Sequence, residues 1–148
     1  MRIFSIILSA LLLTACDVRM ADYEPPAKGI PLSFQTEMGP AFFATRYVDV
    51  FVAAQTAPCL YKQLGAIRFD DMPNGTVLAA QVPHNLRALF VWDGGTQINE
   101  TVIDHMITPK PGASYELRMV DDKSRIGMRL FENGKLLPIK RPCITDPA

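Results

Sequence analysis

Beyond residue 15 this chain offers no window longer than about ten residues with a convincing 3.6-residue apolar period, which removes helical architectures from consideration. Short segments of β-type composition recur instead, separated by turn signals every eight to twelve residues or so. Residues 46–53 set Val48, Val50 and Val52 on one face. Residues 59–69 hold one or two short strands, and residues 76–82 a third candidate, opened by the turn Met72-Pro73-Asn74-Gly75. Residues 86–92 form a continuous apolar run of the kind a central strand shows, broken by Asp93-Gly94-Gly95 before mixed alternation resumes over 98–107. In the next segment Tyr115, Leu117 and Met119 oppose Glu116 and Arg118, and in the one after it Ile126, Met128 and Leu130 oppose Arg129. With 148 residues, 49% of them hydrophobic, the chain is long enough to bury the core of one domain. The pattern predicts an all-β fold, an antiparallel sandwich or small barrel of about seven short strands.

Two local motifs sharpen this expectation. Asn133-Gly134 is a preferred two-residue type I′ turn, because both positions tolerate positive φ. It pairs Glu132 with Lys135 and Leu130 with Leu137, and Pro138, which cannot donate a ladder bond, marks the last strand as an edge. Upstream, Pro109-Lys110-Pro111-Gly112-Ala113-Ser114-Tyr115 resembles the Pro-Gly-x-x-Tyr corner of immunoglobulin-like and fibronectin-like domains, with Pro109 where those domains usually carry leucine. The resemblance implies an immunoglobulin/transthyretin-like sandwich in which the tyrosine hydroxyl bonds back to the preceding corner. A simple turn followed by a core tyrosine is the other reading of the same residues.

The amino terminus carries a separate message. Met1-Arg2 followed by an apolar run over residues 3–13 has the form of a secretory signal, too short to span a bilayer of roughly 30 Å as a helix. Leu13-Thr14-Ala15-Cys16 resembles the lipobox of bacterial lipoproteins, and the resemblance implies cleavage before Cys16, a diacylglyceryl thioether on its sulfur and acylation, commonly with palmitate, of the new amino terminus. Several acyl chains, at ~0.8 kcal/mol per buried methylene, make a lasting anchor. Asp17, next to the lipidated position, resembles the inner-membrane retention signal of enteric lipoproteins. The expected organisation is a signal peptide over 1–15, Cys16 and a spacer over 16–40, and a sandwich over 41–148. The spacer reading rests on three prolines and a glycine between Tyr23 and Pro31.

Export fixes the redox setting. Cys59 and Cys143 are the two remaining cysteines, and in an oxidising compartment they form one disulfide or stay as two separate buried thiols. Closing a loop of about 85 residues stabilises by roughly 4.5 kcal/mol in the chain-entropy account. The 15 basic residues balance the 15 acidic ones, and loss of the leader removes only Arg2 from the total, which argues against nucleic acid as a partner.

Chemistry-bearing constellations are sparse. His84 follows a proline and His105 lies beside Asp104; neither belongs to an HxxxH, HExxH or CxxC pattern, so both read as exposed or satisfied histidines, with no metal or cofactor expected. Ser33, Ser114 and Ser124 sit in no nucleophile elbow, and Cys59 is better used in a disulfide than as a nucleophile. The doublets Asp70-Asp71 and Asp121-Asp122 fit turns, and the sequons at Asn74 and Asn99 are chance matches. Arg118, Lys123, Arg125 and Arg129 form either a basic interaction patch or a set of isolated outward charges.

The lipobox, the proline-bearing spacer, the Val-rich strand, Leu64-Gly65-Ala66-Ile67 after a cysteine and the Pro-Gly-x-x-Tyr strand together resemble small bacterial lipoproteins, among them immunity lipoproteins of type VI secretion. The envelope lipoprotein of that secretion apparatus is also broadly similar. The resemblance implies a membrane-anchored, periplasm-facing, non-enzymatic module that binds a toxin or envelope protein. The rival expectation is an envelope enzyme or small-ligand binder built around Asp93, Asp104 and His105.

Overall fold

The structure, a computed structural model, describes residues 21–38, 45–68, 75–93, 95, 98–122 and 125–143. Its strands are β1 (Ile30–Met38), β2 (Thr45–Ala57), β3 (Leu60–Arg68), β4 (Thr76–Leu78), β5 (His84–Asp93), β6 (Ile98–Ile107), β7 (Tyr115–Asp122), β8 (Arg125–Glu132) and β9 (Lys135–Leu136). They build two facing sheets, one in the order β3-β2-β5-β6 and the other in the order β4-β1-β7-β8-β9. The alternation seen in the sequence decides which residues meet between them. Val48, Val50 and Val52 from β2, Leu86, Ala88 and Phe90 from β5, and Ile107 from β6 pack against Leu32 and Phe34 of β1, Leu117 and Met119 of β7, and Met128 and Leu130 of β8. The all-β sandwich reading therefore holds, with nine strands among the described residues. One ladder departs from the antiparallel rule: β1 runs parallel to β7, with Leu32 opposite Tyr115 and Phe34 opposite Leu117.

Both local motifs take the expected shape. Asn133 and Gly134 have φ of 50° and 79°, Glu132 lies opposite Lys135, and the Leu137 amide donates to the Leu130 carbonyl at 2.8 Å. At the corner between β6 and β7, the Tyr115 hydroxyl accepts from the Lys110 amide at 3.1 Å and donates to Glu132 Oε1 at 2.9 Å. Cys59, in the β2–β3 turn, is bonded to Cys143, with 5.2 Å between their Cα atoms.

Several boundaries differ from expectation. Residues 21–38 are not a spacer. Tyr23 is buried to 4% exposure, its hydroxyl donates to the Val77 carbonyl at 2.9 Å, and β1 lies between β4 and β7 inside its sheet. The prolines allow this because Pro31 precedes the first β1–β7 pair at Leu32, where its missing N–H costs that ladder nothing. The sandwich thus includes residues 21–38, ahead of the expected boundary at 41. The strand expected over 76–82 stops at Leu78, because the chain turns at Gln81 with φ of 60°. His84, the residue after Pro83, opens β5, and Asp121 and Asp122 end β7, opposite Ile126 and Arg125, rather than lying in a turn. Asp70-Asp71 and Asn74 lie outside the described residues, as does the leader with Cys16.

The two chain ends each close one open side of the sandwich. At the β3–β4 side, the Ala66 amide donates to Ala21 O at 3.0 Å, the Tyr23 amide donates to Ala66 O at 2.8 Å, and the Tyr23 ring fills the gap between the sheets. Gly65 permits this approach: a Cβ there would stand 2.6 Å from the Tyr23 Cα, and its φ of 147° disfavours any L side chain. At the other side, residues 137–143 leave β9, cross to β6, where the Met106 amide donates to Lys140 O at 2.7 Å, and reach Cys59 over the outer face of the β3-β2-β5-β6 sheet. This strap accounts for the burial of Ala53 and Asn85, which otherwise point outward.

Candidate functional site

Each outer face follows from the residues left over after the core has taken its half. On the five-stranded sheet the leftovers include a cluster of charged residues beside the apolar Phe131 and Leu136. Arg118 lies across from Arg129, its guanidinium held by Glu116 at 3.1 Å and Glu37 at 3.4 Å and stacked 4.6 Å from the centre of the Phe131 ring. Of the four basic residues grouped from the sequence, Arg118 and Arg129 therefore share one face. Glu116 and Glu37 stand beside the first, and the sequence reading had not included them. Arg125 lies at the β7–β8 end opposite Asp122, and Lys123 is outside the described residues.

The four-stranded sheet is different. Its outer face alternates apolar residues with ion pairs. Arg87 clasps Asp104 at 2.8 and 3.3 Å, Asn85 Nδ2 donates to the same carboxylate at 3.0 Å, and Arg68 clasps Asp49 at 3.1 and 3.4 Å while lying 4.9 Å from the Tyr47 ring centre. Phe51, Leu89 and Val102 lie between these pairs, Val102 being 53% exposed.

The four sheet edges are unequal. The β3 edge is covered by residues 21–23, β4 is three residues long, and β9 is two residues long and stopped by Pro138. The β6 edge is ten residues long. Because Met106 directs its N–H away from β5 toward Lys140, the alternation of an unbulged antiparallel ladder turns the N–H and C=O groups of Asp104, Val102 and Glu100 the same way. Among the described residues, the Lys140 carbonyl is the sole backbone group bonded on that side. Between this edge and the strap runs a groove of about 420 Å³, lined by Val102, Ile103, Asp104, Ile139, Arg141 and Pro142, with Ile139 61% exposed. Such an edge is a template for one more strand.

The three residues of the rival expectation, Asp93, Asp104 and His105, do not converge. Asp104 and His105 are consecutive in β6 and point to opposite faces, and Asp93 lies six residues along β5 from the partner of Asp104, roughly 20 Å away. Against the expectation of exposed or satisfied histidines, His84 and His105 are both buried, at 0% and 1% exposure, and only partly satisfied. Each Nδ1 donates to a carbonyl, that of Val82 at 2.6 Å and that of Met106 at 3.1 Å, while each Nε2 is left without a partner. Burial lowers the pKa of both. A cavity of about 220 Å³ under the strap includes His105, Lys110, Tyr115 and Glu132 in its lining. Its carboxylate is already engaged: Glu132 accepts from Lys110 Nζ and from Tyr115, which hold its pKa down, and the Lys110 pKa is raised in return. The His105 Nε2 is closed off from solvent.

Parity along β5 and β6 could have placed both histidines inside, since His84 shares its side with Leu86 and His105 shares its side with Ile107. Nothing local marked β6 as an edge. Comparison with family models, curated proteins and solved structures found no match, so the site is read from its own geometry.

Proposed function

We propose that this chain is a bacterial lipoprotein of the cell envelope, anchored through Cys16 and facing the periplasm, whose sandwich binds a protein partner without catalysis, in an immunity-type or envelope-assembly role. The observation that carries the reading is the β6 edge, whose backbone groups at Glu100, Val102 and Asp104 have no partner on the outer side among the described residues, with the exposed Val102 and Ile139 beside them. An extended partner segment adds to such an edge by main-chain hydrogen bonds and takes its specificity from neighbouring side chains. The lipobox and the Cys59–Cys143 disulfide support an exported, oxidising location. Cys16 stands five residues before Ala21, a reach of at most about 18 Å, so lipidation would hold the sandwich close to the bilayer. Ala21 lies against β3, and β6 is three strands away across the sheet, roughly 14 Å, so the anchored edge and the open edge are opposite ones.

The test places a photo-crosslinking residue at position 139, in the groove, and in a second strain at position 129 on the other sheet. A discrete adduct from 139 but not 129, lost on Val102→Pro, is the expected outcome. Proline is tolerated there by the β5 ladder because the Val102 N–H points to the free edge. Equal adducts from both positions, or an adduct indifferent to Val102→Pro, overturn the docking edge. For the anchor, Cys16→Ser should leave an unacylated precursor, and membrane retention of that variant in the wild-type manner contradicts lipidation.

A further inference from the structure

The residues around the β6 edge also restrict what can lie on it; this inference rests on the docking reading above. Val102 presents an apolar side chain on the outer face, flanked two residues away on each side by Glu100 and Asp104. Asp104 already holds Arg87 and Asn85, so the carboxylate with no ion pair among the described residues is that of Glu100, which is exposed. The strap blocks the edge at Met106, which leaves residues 98–104 for an incoming strand.

A second copy of this chain is poorly suited to that place. Antiparallel self-pairing must keep the outward backbone groups of even-numbered residues opposite each other. Centred on Val102, it sets Glu100 directly across from Asp104 of the other copy. Centred on Thr101, it sets the two Glu100 side chains diagonally, and centred on Glu100 it sets them face to face. Every register puts Glu100 beside another acid, and like charges across a ladder are destabilising. Glu100 therefore guards the edge against self-association, as charged residues on exposed edges commonly do.

The same geometry admits a segment of opposite character. We infer that the β6 edge takes an extended segment of a different protein that carries an apolar residue opposite Val102 and a basic residue opposite Glu100. Electrostatic complementarity of this kind serves mainly to choose the partner.

Two disulfide-cyclised hairpin peptides test this, each with one free strand of alternating residues: Lys-Thr-Val-Thr-Lys in the first, Glu-Thr-Val-Thr-Glu in the second. Their affinities for the full chain in zwitterionic detergent are read by fluorescence anisotropy at low salt. The expected result is at least tenfold tighter binding of the lysine hairpin, reversal of the preference in Glu100→Lys, and loss of binding in Val102→Pro. Equal affinity for the two hairpins overturns the charge selection while leaving the docking edge standing. Binding of neither overturns both, and lysine-hairpin binding that survives Val102→Pro places the site elsewhere and overturns the inference. Sedimentation adds an independent readout: wild type should remain monomeric and Glu100→Val should self-associate with concentration. A Glu100→Val chain as monomeric as wild type removes the guarding role.

Discussion

Replacing Tyr23 by alanine tests whether the segment before β1 belongs to the folded unit. An aromatic side chain buried to this extent removes about 150–250 Å² from water, worth ~4–6 kcal/mol at 25 cal/mol per Å² as an upper bound. Measured aromatic-to-alanine changes in cores run at ~3–5 kcal/mol, cavity included. Tyr23 also donates to the Val77 carbonyl of β4, so Tyr23→Phe isolates the hydrogen bond, worth ~1 kcal/mol. We expect Tyr23→Ala to lose about 3–5 kcal/mol and Tyr23→Phe about 1 kcal/mol, read as shifts of the urea midpoint. Against a total of ~5–15 kcal/mol for an ordinary domain, the first is severe. Hydrogen exchange supplies the local signature: the Ala66 amide, which donates to Ala21, should lose protection in Tyr23→Ala before the β2–β5 ladder does. A Tyr23→Ala chain within about 0.5 kcal/mol of wild type, with Ala66 protection unchanged, would mean that residues 21–29 are a spacer after all and that the β3 edge is open.

Gly65→Ala should cost at least ~2 kcal/mol, because the new Cβ meets the Tyr23 and Asp22 backbone at 2.6–2.8 Å; a midpoint equal to wild type refutes that contact. Stability should also fall in acid: with both histidine pKa values lowered in the fold, the unfolded chain binds protons first, so their contribution is whole above about pH 6.5 and is lost as pH falls toward the lowered values. The slope there is up to ~1.4 kcal/mol per pH unit for each histidine, and His84→Gln with His105→Gln should flatten it; an unchanged slope in the double variant contradicts the assignment. Removing the staple through Cys59→Ser with Cys143→Ser should lower stability by up to ~4.5 kcal/mol for a closure of 84 residues, measured by guanidinium unfolding; a loss under 1 kcal/mol would show that the strap is held by other contacts.

What the sequence made legible was local. Asn133-Gly134 dictates its own backbone, and the pairing of Glu132 with Lys135 follows from a two-residue turn without reference to the rest of the chain. Tyr115 and its corner are written within seven residues, and the two cysteines after Cys16 allow a single intramolecular pairing. What remained hidden depends on distant partners. Tyr23, set between Asp22 and Glu24 and just ahead of two prolines, has no local reason to be core; its place comes from Ala66 and Val77, 43 and 54 residues away. Pro25, Pro26 and Gly29 exclude helix, and that was mistaken for absence of order. The alternation Ile30, Leu32, Phe34 against Pro31, Ser33, Gln35 was present in the same stretch and could have been weighed against the prolines. Edge status is hidden for a deeper reason: β6 has the composition of an ordinary half-buried strand, and its open side follows from which other strand failed to reach it.

The two chain ends explain why the open edge lies where it does. A sandwich has four sheet edges, and each must be paired, shortened or guarded if the protein is to stay apart from its neighbours. Here residues 21–23 take the β3 edge, while the strap over 137–143 meets β6 at Met106 and turns away across the sheet toward Cys59. Had the strap followed β6 back toward Ile98, it would have completed a fifth strand and bonded the outward backbone groups of that edge. The disulfide forces the crossing, because it draws residue 143 to the β2–β3 turn at the far side of the sheet. The same bond that staples the fold therefore leaves the outward backbone groups of Glu100, Val102 and Asp104 unbonded among the described residues, and a chain whose strap were released would have a covalently unrestrained segment able to pair with that edge.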